Sequence, residues 1–411
     1  MKFTRRPLTG FDIQVLRAAG ARHGYLLEDA DSFRVGLGGV AIAIDLPRGL
    51  VDLPNQADFF AGHDIEGVEG PAGTGIVAFG TLPFERAARS SLHVPHIVVS
   101  HFPHLGTWIT TSEVSPPLED IIADLELPSQ ETQVAVSMAY QPSGDEYAHS
   151  VAVAVEDLRS QRLTKVVLAR SVQGTVDWPI DPAAVAHRLH RREPQCAIYA
   201  TPLPDGRRFV GASPELLVSR TDNTALCHPL AGTIALPPDV RPHDYQAWLL
   251  GSAKNLHEHH IVANEVATAL APYFDSVDAD EHPSIVALRT VAHLGTWIRG
   301  TSSKQAPTAL ELVAALHPTA AVGGLPRLDA AALIAQLETR DRGHYAGPVG
   351  WIDAEGDGAW WIGIRGVMIS GASFEAWAGA GIVSESDPIA EREETRNKLA
   401  SCLAAVLVDR I

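Results

Sequence analysis

Apolar residues recur along the chain at two spacings, one typical of β-strands and one typical of α-helices. Short apolar runs between turn residues predict strands over 76–79, 165–170, 196–201, 208–212, 216–220 and 225–229 and, towards the C-terminus, over 348–353, 359–366 and 375–378. Apolar positions at helical spacing predict helices over 145–164, 245–271 and about 388–408. Because several strands follow one another without a helix between them, the sequence predicts antiparallel sheets and the α+β class.

Composition and charge narrow the class of protein. The 411 residues carry 32 basic and 49 acidic side chains, a formal net charge of −17, and 46% are hydrophobic, which is enough for a folded core. The negative charge argues against general nucleic-acid binding, which needs a basic surface. No run of apolar residues is long enough for a membrane span, and none follows the basic N-terminal residues as in a signal peptide. Three scattered cysteines indicate reduced thiols, so we expect a cytoplasmic protein.

The predicted C-terminal helix carries charged residues on one face. Asp387 and Pro388 are typical of a helix start, and Glu391, Glu394 and Lys398 follow at positions i, i+3 and i+7. Two carboxylates one turn apart can hold a cation such as Mg²⁺, directly or through water. A solvated face with a Glu394–Lys398 pair explains the same spacing. Just before the helix, residues 378–381 (Ala-Gly-Ala-Gly) predict a glycine-rich turn that could bring backbone N–H groups close to an anion.

Three further positions are candidates for acid, base or metal chemistry, each with a simpler alternative. Lys165 begins an apolar strand, so it is either a buried base or a strand-end lysine in solvent. Glu215 precedes apolar residues, which suits a general acid with a raised pKa or an ordinary cap. Glu258 lies among His257, His259 and His260, whose spacing fails the zinc-protease pattern, but its carboxylate could bind Mg²⁺.

One pentapeptide, His-Leu-Gly-Thr-Trp, occurs twice, at 104–108 and at 293–297. A repeat of this kind is compatible with two related halves of a fold. The flanking residues do not extend the match, so coincidence explains it equally well.

Ordered blocks of sequence from about residue 75 onwards resemble the chorismate-utilising enzymes, a family that includes isochorismate, salicylate, anthranilate and aminodeoxychorismate synthases. The blocks are FGTLPF at 79–84, KVVLAR at 165–170, GASPELL at 211–217, PLAGT at 229–233, KNLHEH at 254–259, HPTAAVGG at 317–324, GHYAGPVG at 343–350, GIR at 363–365, AGAGIV at 378–383 and SDP at 386–388. The resemblance implies an anthranilate synthase component I-like, chorismate-binding fold in which two large antiparallel β-sheets pack together with helices outside. It also implies one structural domain, with a variable N-terminal part over 1–75 and a catalytic region over 76–411.

The resemblance assigns roles to the candidate residues. It implies that Glu258 and Glu394 hold Mg²⁺, with Glu391 acting through water. It implies that Lys165 takes a proton from water as the water attacks C2 of chorismate, and that Glu215 donates a proton to the departing C4 hydroxyl.

The same resemblance implies the substrate contacts. Tyr345, Arg365, Gly379 and Lys398 would hold the carboxylates of chorismate, with Gly379 offering its backbone N–H. Thr233, Ala321 and Val322 would complete the substrate pocket. At Asn255 some family members carry an acid that reaches the metal through water, so that outer contact is in doubt here.

Two positions favour one reaction within the family. Lys165 stands where ammonia-using members typically have glutamine, and Ala321 stands where pyruvate-releasing lyases tend to have threonine. Both favour an isochorismate synthase, whose product would feed siderophore or menaquinone biosynthesis. The alternatives are a salicylate synthase, an anthranilate- or aminodeoxychorismate-type subunit, and an inactive chorismate-binding relative. We expect a monomer without an amidotransferase subunit.

Overall fold

The computed structural model describes residues 1–128, 134–160, 162–236 and 240–407. The helices in these residues are α1 Ile13–His23, α2 Leu118–Ile122, α3 Gly144–Arg159, α4 Pro182–Arg192, α5 Pro242–Leu250, α6 Ala253–Leu270, α7 Ala309–Leu316, α8 Arg327–Leu337 and α9 Pro388–Leu403. The predicted end of the last helix, at Val408, lies outside the described residues.

Several of the strands follow one another along the chain without a helix between them. The strands are β1 Lys2–Pro7, β2 Tyr25–Glu28, β3 Phe33–Leu46, β4 Asp64–Gly67, β5 Val77–Thr81, β6 Ser90–Phe102, β7 Gly106–Ser112, β8 Ala135–Gln141, β9 Lys165–Val176, β10 Ala197–Pro202, β11 Arg208–Ser213, β12 Leu216–Thr221, β13 Thr224–His228, β14 Leu230–Ala235, β15 Ser276–Ala279, β16 Ser284–Ala287, β17 Val291–Gly295, β18 Ile298–Thr301, β19 Gly324–Leu325, β20 Pro348–Asp353, β21 Gly358–Ile362, β22 Gly366–Ser370 and β23 Ser373–Ile382.

The strands form two large, mainly antiparallel arrays that are joined through the long strands β3 and β6. One array runs β8-β9-β23-β22-β11-β10-β2-β3, and the other runs β6-β5-β20-β21-β12-β13-β18-β15. Strands from the first 75 residues pair within the same network, and β14, β17 and β16 form a separate small sheet. The predicted α+β class with large antiparallel sheets is confirmed.

Helices cover the outer faces of the two arrays and bury apolar side chains against them. Helices α1 and α4 pack on β3, β10 and β11, and α7 packs on β12, β20 and β21. Helices α3, α8 and α9 lie against β9 and β23, where the helical spacing of apolar residues along α3 buries Tyr147, Val151, Val155 and Leu158. None of the helices in the described part of the chain is long and apolar enough to cross a membrane.

The single helix predicted over 245–271 is wrong in one respect, because it is two helices. Helix α5 ends at Leu250 and α6 begins at Ala253, with Gly251 and Ser252 between them. The Ser252 hydroxyl accepts a hydrogen bond from the backbone N–H of Asn255 at 3.3 Å and so caps α6. In the first turns of α6, Lys254 pairs with Glu391 of α9 and Glu258 pairs with Lys165 of β9.

The predicted glycine-rich turn over 378–381 is also wrong, because these residues continue β23 to Ile382 and pair with β9. Glycine is used here for space: a Cβ built on Gly381 would lie 2.1 Å from Glu258 Oε1 and 2.8 Å from Lys165 Cε. The glycines therefore let the strand run directly beneath two charged side chains.

The strand predicted over 359–366 is interrupted and forms β21 and β22. Between them Arg365 has φ +55°, in the left-handed region that non-glycine residues seldom adopt. This conformation lets the chain turn within three residues and places the Arg365 side chain at the end of both strands.

The two His-Leu-Gly-Thr-Trp segments have unrelated environments. His104 lies in the exposed turn between β6 and β7, whereas His293 is buried in β17. The repeat therefore marks no common structural unit.

Candidate active site

A cavity with a solvent-accessible volume of about 60 Å³ lies between β9, β14, β17, β23, α6 and α9. Its walls contain most of the predicted site residues: Glu215, Thr233, Glu258, Ala321, Val322, Tyr345, Arg365, Gly379 and Lys398. Lys165 and Glu394 stand directly behind this wall, in contact with Glu258 and Lys398.

Lys165 is the first residue of β9, and its side chain is only 1% exposed. Its Nζ donates a hydrogen bond to the carbonyl oxygen of Ala320 at 2.7 Å and lies 3.2 Å from Glu258 Oε1. A strand-end lysine in solvent is therefore excluded. The ammonium group is held from two sides at the edge of the cavity.

Glu215 is buried in the short connection between β11 and β12 and faces the same cavity. Burial raises the pKa of its carboxyl group to about 7, although Lys165 and Lys398 oppose the shift. A carboxyl group with this pKa retains its proton near neutral pH. It is therefore able to donate a proton to a leaving group.

Three carboxylates from α6 and α9 lie in the cavity wall or directly behind it, and each is paired with a different lysine. The pairs are Lys165–Glu258 at 3.2 Å, Lys254–Glu391 at 2.5 Å and Lys398–Glu394 at 2.7 Å. Helix α9 places Glu391 and Glu394 one turn apart, as the sequence predicts, and both face inward rather than into solvent. The solvated-face alternative is excluded for Glu391, which is 1% exposed.

The chemistry of these carboxylates fits Mg²⁺, which prefers hard oxygen ligands. Burial and the charge of Glu394 raise the pKa of Glu391 to about 7, although the charge of Lys254 opposes the shift. Burial opposes protonation of Lys254, but the charges of Glu391, Glu258 and Glu394 outweigh it and raise the pKa of Lys254. Among the described residues, however, no three such groups converge closely enough to form a ready-made metal site. The Mg²⁺ prediction therefore stays a prediction.

Arg365 is the clearest feature for anion binding in the cavity. Its guanidinium group is buried, Nη2 donates to His293 Nε2 at 2.9 Å, and Nη1 is buried without a hydrogen-bond partner. A buried guanidinium N–H without an acceptor is costly unless a ligand supplies one. The cavity wall therefore offers a vacant donor suited to a carboxylate.

Tyr345, Lys398 and Gly379 surround the same end of the cavity. Tyr345 stacks on Trp377, with ring centroids 5.7 Å apart, and burial raises the pKa of its hydroxyl group, which therefore keeps its proton. Lys398 Nζ donates to the carbonyl oxygen of Gly379 at 2.9 Å. Gly379 lies opposite Ala169 of β9, whose N–H donates to Glu338 on the far side, so this pair exchanges no ladder bonds. The Gly379 N–H is thus directed away from β9.

Thr233, Ala321 and Val322 also line the cavity. The segment holding Ala321 is fixed on both sides, because the Ala320 N–H donates to Glu265 and the Val322 carbonyl oxygen accepts from Arg342. Asn255 is buried next to Gly232, whose positive φ of 72° keeps that approach close.

Two basic residues of the cavity wall, His293 and Arg342, are not identified as site residues by the sequence analysis. Because arginine only donates, His293 Nε2 accepts from Arg365, and Nδ1–H therefore donates to Thr233 Oγ1 at 3.0 Å. Burial and the Arg365 charge hold the pKa of His293 well below its usual value, so the ring is neutral. The repeated pentapeptide draws attention to His293 in the sequence, whereas Arg342 gives no signal there, because it lies just before the block of similarity at 343–350.

Known proteins resemble this chain in sequence and in fold. The family profile described as chorismate binding enzyme matches residues 111–407. A putative isochorismate synthase, MenF, from Mycobacterium tuberculosis is 38% identical over 350 residues, which cover 82% of this chain and 88% of that protein.

Two solved structures share the fold over nearly the whole chain. The putative 2,3-dihydroxybenzoate-specific isochorismate synthase DhbC from Bacillus anthracis superposes with a TM-score of 0.80 at 29% identity, covering 95% of this chain and 98% of that one. The menaquinone-specific isochorismate synthase MenF from Escherichia coli gives 0.77 at 25% identity, covering 98% and 94%. The chain therefore belongs to the chorismate-binding enzyme family.

Proposed function

We propose that this protein is an isochorismate synthase, an isomerase that converts chorismate reversibly into isochorismate. The observation that carries this proposal is a buried carboxyl group with a pKa of about 7, Glu215, in the cavity wall, together with a buried lysine, Lys165, that lies directly behind this wall and contacts Glu258. The reaction needs one group to accept a proton and another to donate one, and these two side chains supply that pair. The relatives named above act as, or are named as, isochorismate synthases.

The chemistry conserves atoms and charge. Lys165 gives up its ammonium proton to solvent before the reaction. Water then attacks C2 of the chorismate ring, and the neutral Lys165 amine takes the proton that the water loses. The double bonds shift, the bond from C4 to its hydroxyl group breaks, and Glu215 donates the proton that turns the departing hydroxyl into water. The lysine and the carboxyl group then regain their starting protonation through solvent. Because one C–O bond forms and one breaks, the reaction is reversible.

The cavity residues bind and orient the substrate dianion. Arg365 supplies its unpartnered N–H, and Lys398, Tyr345 and the Gly379 N–H supply further donors. These groups explain how a chain of charge −17 attracts an anion, since the positive potential is local to the cavity.

Mg²⁺ belongs to the proposal as the cofactor. When bound, it would supply positive charge that compensates the ring carboxylate of the substrate. Glu258, Glu391 and Glu394 would hold it, and each of these side chains now has a lysine counter-ion instead.

The product would feed siderophore or menaquinone biosynthesis, because the solved relatives are named for 2,3-dihydroxybenzoate and for menaquinone. We further propose that the protein acts in the cytoplasm as a monomer, without an amidotransferase subunit. Its three cysteines are buried free thiols, which suits a reducing compartment.

An assay from both directions tests the function. Purified protein with Mg²⁺ should convert chorismate to isochorismate, and isochorismate back to chorismate, and both mixtures should reach the same ratio. A lactate dehydrogenase assay run in parallel should find no pyruvate. Release of pyruvate with salicylate would support the salicylate synthase alternative, and a requirement for ammonia would support the anthranilate-type alternative.

A further inference from the structure

Arg342 links two segments of the cavity wall that are far apart in sequence. Its side chain is 2% exposed, Nη2 donates to the carbonyl oxygen of Val167 and Nη1 donates to the carbonyl oxygen of Val322, both at 2.7 Å. Val167 belongs to β9, and Val322 follows Ala321 in another segment of the cavity wall. One guanidinium group thus ties these two backbones together.

The same two segments hold the ammonium group of Lys165. Lys165 lies two residues before Val167, and its Nζ donates to the carbonyl oxygen of Ala320, two residues before Val322. The N–H of Val167 donates to the carbonyl oxygen of Gly323 at 2.8 Å, which adds another link. Arg342 therefore stabilises the two backbones whose separation determines where the Lys165 nitrogen lies.

Glu338 fixes the orientation of Arg342. The Glu338 carboxylate accepts from Nε of Arg342 at 2.9 Å and also from the N–H of Ala169 in β9 at 2.8 Å. The planar guanidinium group contacts a carboxylate and two carbonyl oxygens in different directions, which the single ammonium group of lysine cannot reproduce.

The hydrogen bonds distinguish Arg342 from the substrate-binding arginine. Arg342 uses Nε, Nη1 and Nη2 on protein acceptors, whereas Arg365 has a buried Nη1 without one. We propose that Arg342 is a positioning residue for the proposed reaction, one that holds Lys165 at its working distance by joining β9 to the segment over 320–323. This inference rests on the proposed function.

The test compares Arg342→Lys with a matched control, Arg340→Lys. Arg340 lies two residues away, pairs with Glu375 at 2.7 Å and donates to Ser171 of β9, but it does not line the cavity. Arg342→Lys keeps a cation beside buried Glu338, so the protein should stay folded. We expect kcat to fall about 10²-fold with KM for chorismate changed less than about threefold, because a misplaced catalytic group impairs the chemical step. Arg340→Lys should leave both constants within about twofold of wild type.

A second variant covers the case in which Arg342→Lys does not fold. Arg342→Gln with Glu338→Gln removes both buried charges together and should show the same loss of kcat with an unchanged KM. A kcat within about twofold of wild type, in whichever variant folds, would overturn the inference, and so would a raised KM with unchanged kcat, which indicates substrate contact. Wild-type protein is assayed first: absence of chorismate turnover contradicts the proposed function, whereas normal turnover in the variants contradicts the positioning role alone.

Discussion

The Nζ of Lys165 lies 3.2 Å from Glu258 Oε1, and this ion pair is almost completely buried. It joins the strand that carries the proposed base to the helix that carries a predicted metal ligand. Gly381 lies directly beneath the pair, and a side chain at this position would collide with both residues. The proposed base and the proposed metal site are therefore in direct contact.

Lys165→Ala should abolish turnover, because the attacking water loses its proton acceptor. We expect a loss of at least about 10²–10⁴-fold in kcat, measured by chorismate consumption. The variant leaves Glu258 without its counter-ion, so a lowered melting temperature is expected, and circular dichroism should verify that the fold is kept. Lys304→Ala, at an exposed lysine, is the control and should be fully active. Near-normal turnover in Lys165→Ala would show that another group is the base.

Glu215→Gln should lose activity and gain stability at alkaline pH. The pKa of Glu215 is about 7 in the folded protein, whereas the ordinary pKa of a glutamate, expected in the unfolded chain, is 4.5. At a pH between these two values the folded state therefore binds more protons than the unfolded state. The free energy of unfolding of wild type therefore falls as pH rises across this range. Glutamine lacks this titration, so its advantage should grow from pH 5 to pH 8 and reach at most ~3 kcal/mol.

Urea denaturation at pH 5 and at pH 8 measures the difference in the free energy of unfolding between Glu215→Gln and wild type. Glu193→Gln is a suitable control for activity, since Glu193 is buried but does not line the cavity. A pH-independent difference between Glu215→Gln and wild type would contradict the raised pKa, and an active Glu215→Gln would contradict the acid role.

Glu394→Gln should weaken Mg²⁺ binding. We expect at least a tenfold increase in the Mg²⁺ concentration for half-maximal activity, since even outer contacts of a metal site contribute about 10–100-fold. Glu393→Gln removes a neighbouring carboxylate that pairs with Arg392 and Arg396 at the surface, and it should not change the titration. Identical Mg²⁺ curves for Glu394→Gln and wild type would remove Glu394 from the site.

Lys254→Met should strengthen Mg²⁺ binding. Lys165 and Lys398 also donate to backbone carbonyl oxygens, whereas Lys254 contacts Glu391 from a side chain that is 31% exposed. Removing this competing positive charge should raise Mg²⁺ affinity about tenfold or more. The shift of melting temperature with Mg²⁺ measures the affinity without relying on activity. Unchanged or weaker binding would show that Lys254 does not compete with the metal.

The sequence predicts the local features of this fold better than its long-range pairings. Residues 348–353 form a strand with the predicted bounds, because the apolar pattern is strong and both ends are marked by turns. The pattern cannot show that Arg365 adopts a positive φ or that residues 378–381 are extended. In both cases the contacts are with residues distant in sequence: the Arg365 side chain donates to His293, and residues 378–381 pair with β9.

The candidate site follows the same rule. Spacing within α9 predicts that Glu391 and Glu394 share a face, and the structure shows that they do. Spacing within α9 also predicts the Glu394–Lys398 pair. No spacing rule predicts the pairs Lys165–Glu258 and Lys254–Glu391, because those partners come from different elements. The roles assigned to the individual residues await the experiments above.

Proton NMR of chorismate with purified protein, with and without Mg²⁺, tests the central claim most directly. We expect chorismate to remain unchanged without Mg²⁺. With Mg²⁺ it should become a mixture of chorismate and isochorismate, and no pyruvate should form. Unchanged chorismate in the presence of Mg²⁺, or conversion to salicylate and pyruvate, would contradict the proposed isochorismate synthase activity.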